Sequence, residues 1–246
     1  MRQVQLQDDE IDLFDLILIL WKRKLLISVV TLLITAIGTA YVYSKTPIYE
    51  AKALIEMGTY TSDKGDTAAI ADATALEKRL HLLFIEIDGT LDNRTADITS
   101  ISAVQGLKTF LEIKSESTSN EYAKGKIMEV LTYIQEKHKK SLDLILSNRQ
   151  VEYNSISAQL AKIGFKTDQQ ATLLYKLLER KNQLETLLLP QNYRNTDLVG
   201  DVLLHKSPTR PKKNLGIAVS FAIGLMTSIV LALLLNLIKG AKQQTK

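Results

Sequence analysis

The sequence contains no cysteine, four prolines, eleven glycines and three histidines, and its aromatic residues are one Trp, five Phe and nine Tyr in 246 positions. Without cysteine there is no disulfide framework, no thiolate zinc or iron–sulfur site and no cysteine nucleophile. The low glycine and proline content excludes a collagen-like or low-complexity chain. His81, His138 and His205 stand apart, with no pair at metal-ligand spacing, so no metal centre is expected. Lys124-Gly125-Lys126 lacks the upstream glycine and the following Ser or Thr of a phosphate loop, and no G-x-S-x-G elbow occurs. Carboxylates such as Asp88 and Asp92 read as scattered surface acids, and Asn93-Arg94-Thr95 as a chance glycosylation sequon. The expectation is a protein without catalytic residues, cofactor or metal, that is, not an enzyme.

The most informative absence is local. No charged residue lies between Lys24 and Lys45, or between Lys213 and Lys239. A hydrocarbon layer of about 30 Å needs about 20 apolar residues in a helix, and each gap supplies them. Trp21 stands at one end of the first gap and Tyr41 and Tyr43 at the other, roughly 30 Å apart along a helix, as two interfacial aromatic belts would be. A cleaved signal peptide fits poorly, because Asp8, Asp9, Glu10, Asp12 and Asp15 would occupy its basic region. Trp21-Lys22-Arg23-Lys24 reads as a cytoplasmic flank, whereas basic residues on both sides of the second gap give no orientation. The expected order is therefore a cytoplasmic segment 1–24, a span 25–43, an external domain 44–213, a span 214–238 and a cytoplasmic tail 239–246.

The formal net charge of +4 and a pI near 9.0 raise the question of nucleic acid. The Lys137, Lys139 and Lys140 cluster has no interleaved aromatics for base stacking, and it lies in the external segment. No nucleic-acid partner is expected, and the zero mean hydropathy averages two lipid-soluble helices with one polar domain.

Between the spans, Ile48 to Met57 alternates with the period of a half-buried strand. Asp63 to Asp66 reads as a turn, Thr67 to Phe84 as a helix, and Asp88 to Ser102 as loop or short helix. Leu107 to Ser115 reads as a second strand. After the cap residues Ser117–Asn120, apolar residues from Ile127 to Ile163 recur at three- and four-residue spacings, predicting a helix of roughly 65 Å. Gly164 is a plausible break, and Asp168 to Leu189 restarts the pattern before Pro190. Asp197 to His205 reads as a closing strand that pairs with the first. The fold class expected is an α+β membrane protein: two transmembrane helices flank an extracytoplasmic domain with a small membrane-proximal sheet and long protruding helices.

The second gap carries Gly216, Ser220, Gly224, Ser228 and Ala232, all small and four apart. Within lipid, such rows let helix backbones approach closely, so these five are expected to form a packing face. Thr31, Thr35 and Thr39 form a lesser row on the first span. The partner of the face, whether the first span, another copy or another protein, stays open.

Glu10-Ile11-Asp12-Leu13-Phe14-Asp15-Leu16 with Leu20-Trp21-Lys22-Arg23-Lys24, the strand Tyr49-Glu50-Ala51-Lys52-Ala53, and Ser207-Pro208-Thr209-Arg210-Pro211-Lys212 before the second span together resemble the Wzz-type chain-length determinants, the polysaccharide co-polymerases. The resemblance covers about residues 8–57 and 197–238; in the middle only the plan of strands and long helices matches. It implies a non-enzymatic bacterial inner-membrane protein with a periplasmic domain. Such a protein regulates the length of the O-antigen of lipopolysaccharide or a related surface glycan. The implied partners are further copies of the chain in a homo-oligomer, a separate polysaccharide polymerase, membrane lipid and, as a further candidate, the growing glycan chain. Pro208 and Pro211 become a membrane-proximal proline motif, expected to be sensitive to substitution together with Gly216 and Gly224. The middle segment is short for the family, and with only Lys239 to Lys246 after the second span no fused kinase domain is expected. A membrane adaptor that activates a separate cytosolic tyrosine kinase in capsule synthesis is the alternative. A two-span sensor would need a cytoplasmic output domain that the sequence does not contain.

Overall fold

The computed structural model describes residues 13–92, 94–162 and 168–244. Glu10-Ile11-Asp12, Asn93 of the sequon and the Gly164 break lie outside them. The chain divides into two compact units, one formed by the residues up to Pro47 with those from Arg210 onward, the other by Ile48–Thr209.

In chain order, helix α1 (Leu13–Lys22) precedes α2 (Lys24–Ser44). Strands β1 (Tyr49–Glu56), β2 (Thr59–Thr61) and β3 (Thr67–Ala69) lead to helix α3 (Ala73–His81). A π-helical stretch over Leu82–Ile87 and a 3-10 turn over Asp88–Thr90 lead to strands β4 (Ala96–Ala103) and β5 (Phe110–Ser117). The long helix α4 (Asn120–Leu160) and α5 (Asp168–Leu187) follow. A second 3-10 turn over Pro190–Asn192 precedes the two-residue strands β6 (Tyr193–Arg194), β7 (Asp197–Leu198) and β8 (Leu203–Leu204), and α6 (Lys213–Gln244) closes the chain. Lys24–Ser44 and Lys213–Ile238 are long and apolar enough to cross a membrane and are mostly exposed in the fold, as expected of lipid-facing helices.

The second unit is built on β1. Its alternation places Ala51, Ala53 and Ile55 inward and fully or almost fully buried, while Glu50, Lys52 and Glu56 face out. All eight of its residues pair antiparallel with β5, and its other edge takes the returning chain, with β7 at Ile55–Glu56 and β8 at Ala51–Lys52. β4 completes this sheet beside β5; β3, β2 and β6 form a smaller one. On the outer face Lys52 reaches Glu112 across the β1–β5 ladder at 2.6 Å. Such an exposed pair contributes about 0–1 kcal/mol. The stability lies on the inner face, where Leu111, Ile113, Ile98 and Ile101 meet Ile127, Val130, Leu131 and Ile134 of α4. The small Ala51 and Ala53 side chains leave room for that helix. Leu76 and Leu80 of α3, a helix capped by the Asp72 carboxylate accepting from the Ala75 N–H at 2.8 Å, join the same core.

Helix α4 starts at Ser119, whose hydroxyl accepts from the Glu121 N–H. Forty-one residues give it a length of about 60 Å. Its first half is buried at helical spacing, but beyond Leu142 only Arg149 and Ile156 are buried. There it packs against α5, which buries Leu184 and Leu187. Lys137, Lys139 and Lys140 form an exposed face, while His138 between them is buried.

Four elements depart from expectation. Asp88 to Ser102 is not loop or short helix throughout: it contains β4. Asp97 separates its inward Ala96 from Ile98, Thr99 and Ser100 separate Ile98 from Ile101, and the register with β5 shifts between Ile98 and Ser100, which breaks the two-residue period. Thr67 to Phe84 is not wholly helical, because Thr67–Ala69 pairs with β2 and the helix begins only after Asp72. The closing segment is two short ladders on β1, split by Val199 to Val202 with Gly200 at φ 77°. The Leu107 to Ser115 strand runs slightly later, from Phe110 to Ser117, and leaves Leu107 exposed.

Thr196 is the knot between α4 and the two sheets. Its Oγ1 accepts from the Gly58 N–H at 2.8 Å, its carbonyl accepts from Gln135 Nε2 at 3.1 Å, and Oγ1 lies 2.5 Å from His138 Nδ1. Burial holds the His138 imidazole below its ordinary pKa, because the charged form loses its hydration. The unfolded chain therefore takes up this proton first, and stability falls as the pH drops below about 6.5 towards the lower folded value. The melting temperature of the full chain in nanodiscs should decline between pH 7.5 and 5.5, and His138→Asn, which retains a polar group near the Nδ1 position, should flatten that slope. Equal slopes for the two proteins would remove His138 as the cause.

Candidate functional site

The five small residues of α6 face α2 or are buried within the helical unit. A Cβ added at Gly38 would lie 2.1 Å from Ser220 Oγ, one at Gly216 would lie 2.6 Å from Val42 Cγ2, and one at Gly224 would lie 3.0 Å from the Thr31 carbonyl oxygen. Ser228 and Ala232 are fully buried. The contacts descend on α2 as they ascend on α6, from Val42–Gly216 through Gly38–Ser220 and Thr31–Ser228 to Arg23, whose Nη2 donates to the Leu235 carbonyl at 3.3 Å. The two helices are thus an antiparallel hairpin, which places the start of α2 beside the late part of α6.

Thr31 and Ser228 hydroxyls lie 3.0 Å apart. Ser228 Oγ–H is committed to the Leu225 carbonyl at 2.8 Å, so the Thr31 hydroxyl is the donor between them. A polar pair of this kind inside lipid is worth about 0.6 kcal/mol on average, so close backbone packing rather than this bond is the main attraction. At the ends, Lys24 lies over the Trp21 ring at 5.0 Å, Lys45 over Tyr41 at 4.6 Å and Lys213 over Tyr43 at 4.6 Å. Each pair combines an amphipathic ring with a cation, the combination suited to a membrane–water interface.

The contacting stripe of α2 is Thr31, Ile34, Gly38 and Val42, not the row of three threonines read from the sequence. Thr35 bonds back to the Thr31 carbonyl at 2.7 Å, and with Thr39 it borders a groove of ≈ 720 Å³ on the flank of the pair. Ile34, Gly38 and Val42 follow Thr31 at three- and four-residue steps, which is the signal that could have found them. In an entirely apolar helix such a stripe has no polar contrast to mark it.

Pro208 and Pro211 are half-buried and flank the boundary between the units. Between them Thr209 donates to the Ile48 carbonyl from its N–H at 2.8 Å and from Oγ1 at 3.2 Å, so the two ends of the second unit are tied together. The Arg210–Pro211 peptide is cis.

A second polar constellation clamps the helical hairpin to the small sheet. Arg180 of α5 holds Glu152 of α4 through two bonds, Nε to Oε1 at 2.8 Å and Nη2 to Oε2 at 3.0 Å, and reaches Asp63 Oδ2 at 2.9 Å. Arg149 adds a bond to the Thr61 carbonyl at 2.7 Å. The Arg180 guanidinium holds the Asp63 carboxyl below the usual carboxylate range, partly opposed by burial. The arrangement is structural: every charge in it is matched. The three histidines are likewise engaged singly, His81 with Glu86 and His205 with the Glu50 carbonyl. Among the described residues, no three His, Asp or Glu side chains converge as metal ligands.

Residues 9–87 match the family model described as Wzz, chain length determinant protein. That stretch contains the amino-terminal motif, the first span, β1 and α3 and bears out the resemblance read from the sequence. The chain also has the fold of a full-length bacterial polysaccharide co-polymerase, with a TM-score of 0.51 at 17% identity over 93% of this chain and 99% of that one. A fragment of the polysaccharide co-polymerase WzzB from Salmonella Typhimurium aligns over 67% of this chain and 100% of its own at 16% identity, with a TM-score of 0.39. A mutant of the lipopolysaccharide O-antigen chain-length regulator of Shigella flexneri aligns at 10% identity over 67% and 100%, with a TM-score of 0.25. No curated protein matches the chain in sequence at a significant level.

With no native cysteine to interfere, the helical hairpin can be tested directly. Thr31→Cys combined with Ser228→Cys should cross-link within one chain under mild oxidation in membranes. Leu33→Cys with Ser228→Cys should not, because Leu33 is 56% exposed. Equal cross-linking of both pairs, or of neither, would refute the packing face.

Proposed function

We propose that this chain regulates the length of a surface polysaccharide from the bacterial inner membrane, as a non-enzymatic homo-oligomeric scaffold working with a separate polymerase. The observation that carries this reading is the Wzz match at residues 9–87, a stretch that takes in the amino-terminal flank, the first span and the core strand β1. The likeness of fold over nearly the whole chain supports it. In this reading residues 1–24 and 239–246 are cytoplasmic, 25–43 and 214–238 cross the membrane, and 44–213 lies in the periplasm. The antiparallel α2–α6 pair returns the chain to its starting side, as that topology needs. The small-residue face of Gly216, Ser220, Gly224, Ser228 and Ala232 then serves chiefly to keep the two spans of one protomer together. The remaining lipid-exposed faces are left for other copies and for the polymerase. O-antigen or a related glycan is the polymer, and its sugars are handled without catalysis by this chain.

Deleting the gene should leave polymer synthesis intact but abolish the preferred length on glycan electrophoresis, and the intact gene should restore it. An unchanged ladder with altered tyrosine phosphorylation would replace this reading with the kinase-adaptor one. For topology, Lys140→Cys lies on the exposed face of α4 and should react with an impermeant maleimide added to the outside of spheroplasts. Labelling only after the cytoplasm is opened would overturn the assignment.

A further inference from the structure

Several charged side chains in the second unit are paired: Lys124 with Asp201, Lys126 with Asp88, Arg180 with Glu152 and Asp63. One groove instead gathers charged and polar side chains that are not. Between α4 and the Tyr193–Thr196 segment lies a cleft of ≈ 410 Å³ bordered by Lys139, Leu142, Asp143 and Leu146 from the helix and by Tyr193 and Asn195 from the segment. Lys139 and Asp143 are one helical turn apart and share a face, yet make no ion pair with each other or with any other described residue. The Asn195 amide and the Tyr193 hydroxyl have no side-chain hydrogen-bond partner among the described residues either. Four polar groups of different kinds, each open to solvent rather than bonded within the protein, thus border one place. Leu142, buried, and Leu146, half-buried, give the cleft an apolar floor.

That alternation of apolar floor, aromatic wall and scattered donors and acceptors matches the surface of a sugar, whose ring faces carry C–H groups and whose rim carries hydroxyls. The volume falls within the range of about 300–1,000 Å³ usual for small-molecule sites. An ammonium and a carboxylate side by side suit hydroxyls, which both donate and accept, better than they suit a purely anionic or cationic ligand. Tyr193 also borders a second polar groove of ≈ 380 Å³, lined in part by Thr59, Thr67 and Asn192. The Thr196 knot beneath, fastened to Gly58, Gln135 and His138, holds the segment carrying Tyr193 and Asn195 in place against α4.

We propose that the cleft between α4 and the Tyr193–Thr196 segment binds a short stretch of the glycan itself, with Tyr193 stacking on a sugar ring and Lys139, Asp143 and Asn195 bonding its hydroxyls. This rests on the chain-length reading above and adds to it a direct contact between regulator and polymer. Each contact is weak alone, so the site holds the chain briefly and repeatedly rather than retaining it.

The full chain in nanodiscs is titrated with fluorescently end-labelled short oligosaccharides released from the surface glycan of the producing bacterium, with dextran of equal length as comparison. The wild type should bind the glycan and not dextran, and Tyr193→Ala or Asp143→Asn should each weaken binding by about tenfold, near the upper value for loss of one aromatic contact. Asn195→Leu, at an exposed position, keeps the test available if Tyr193→Ala fails to fold, as judged by melting. Equal affinity of the variants and the wild type, or equal binding of dextran, overturns the site. No binding by a wild type whose deletion still abolishes the preferred glycan length overturns the site and leaves the chain-length reading standing. No binding together with an unchanged ladder overturns both.

Discussion

Everything in the second unit hangs on the two hydrogen-bonding edges of β1. One edge takes all of β5, and the other takes the returning chain through β7 and β8. A strand satisfied on both sides and buried on one face is the most costly element to displace, because opening it exposes backbone groups as well as the Ala51, Ala53 and Ile55 face. It is also the first element after the first span, and Thr209 on Ile48 fastens the last residues of the unit to its start. The ladder thus brings the start and the end of the second unit together. The antiparallel α2–α6 pairing is the matching constraint inside the helical unit. There Gly38, Gly216 and Gly224 do for packing in lipid what apolar side chains do in water.

On this base the long helices are comparatively free. The first half of α4 is anchored by the sheet through Ile127, Val130 and Ile134; the second half is held mainly by α5 and by the Asp63, Glu152, Arg149 and Arg180 cluster. Partly exposed ion pairs contribute little each, but the bidentate Arg180–Glu152 geometry and the shared Asp63 fix the angle at which the hairpin leaves the sheet. The cleft at Tyr193 lies where anchored helix gives way to free helix, a place where a bound polymer would meet a rigid surface.

Much of this was legible in the sequence. The spans are visible because charge is absent over a length that matters, and β1 and α4 because their buried faces alternate with charged ones at clean periods of two and about 3.6. β4 was hidden by the bulge at Thr99, which puts the residues on either side of it out of phase. The α2 contact stripe was hidden for the opposite reason: Ile34 and Val42 are apolar residues in an apolar helix and carry no contrast. Tyr193 and Asn195 sit in a segment with too little regular structure to show a face. Their meeting with Lys139 and Asp143, fifty or more positions away in the chain, is a product of tertiary packing alone.

In the proposed reading, this chain is a surface on which the product of a separate polymerase acquires its length. Reconstitution in vesicles, with the polymerase of the same bacterium and its lipid-linked repeat units, tests that claim most directly. Without this chain the product should be broadly distributed in length; with it, the same polymerase should give a distribution peaked at a preferred length. A distribution that is the same in both vesicles, or consumption of repeat units by this chain in the absence of the polymerase, would contradict the account.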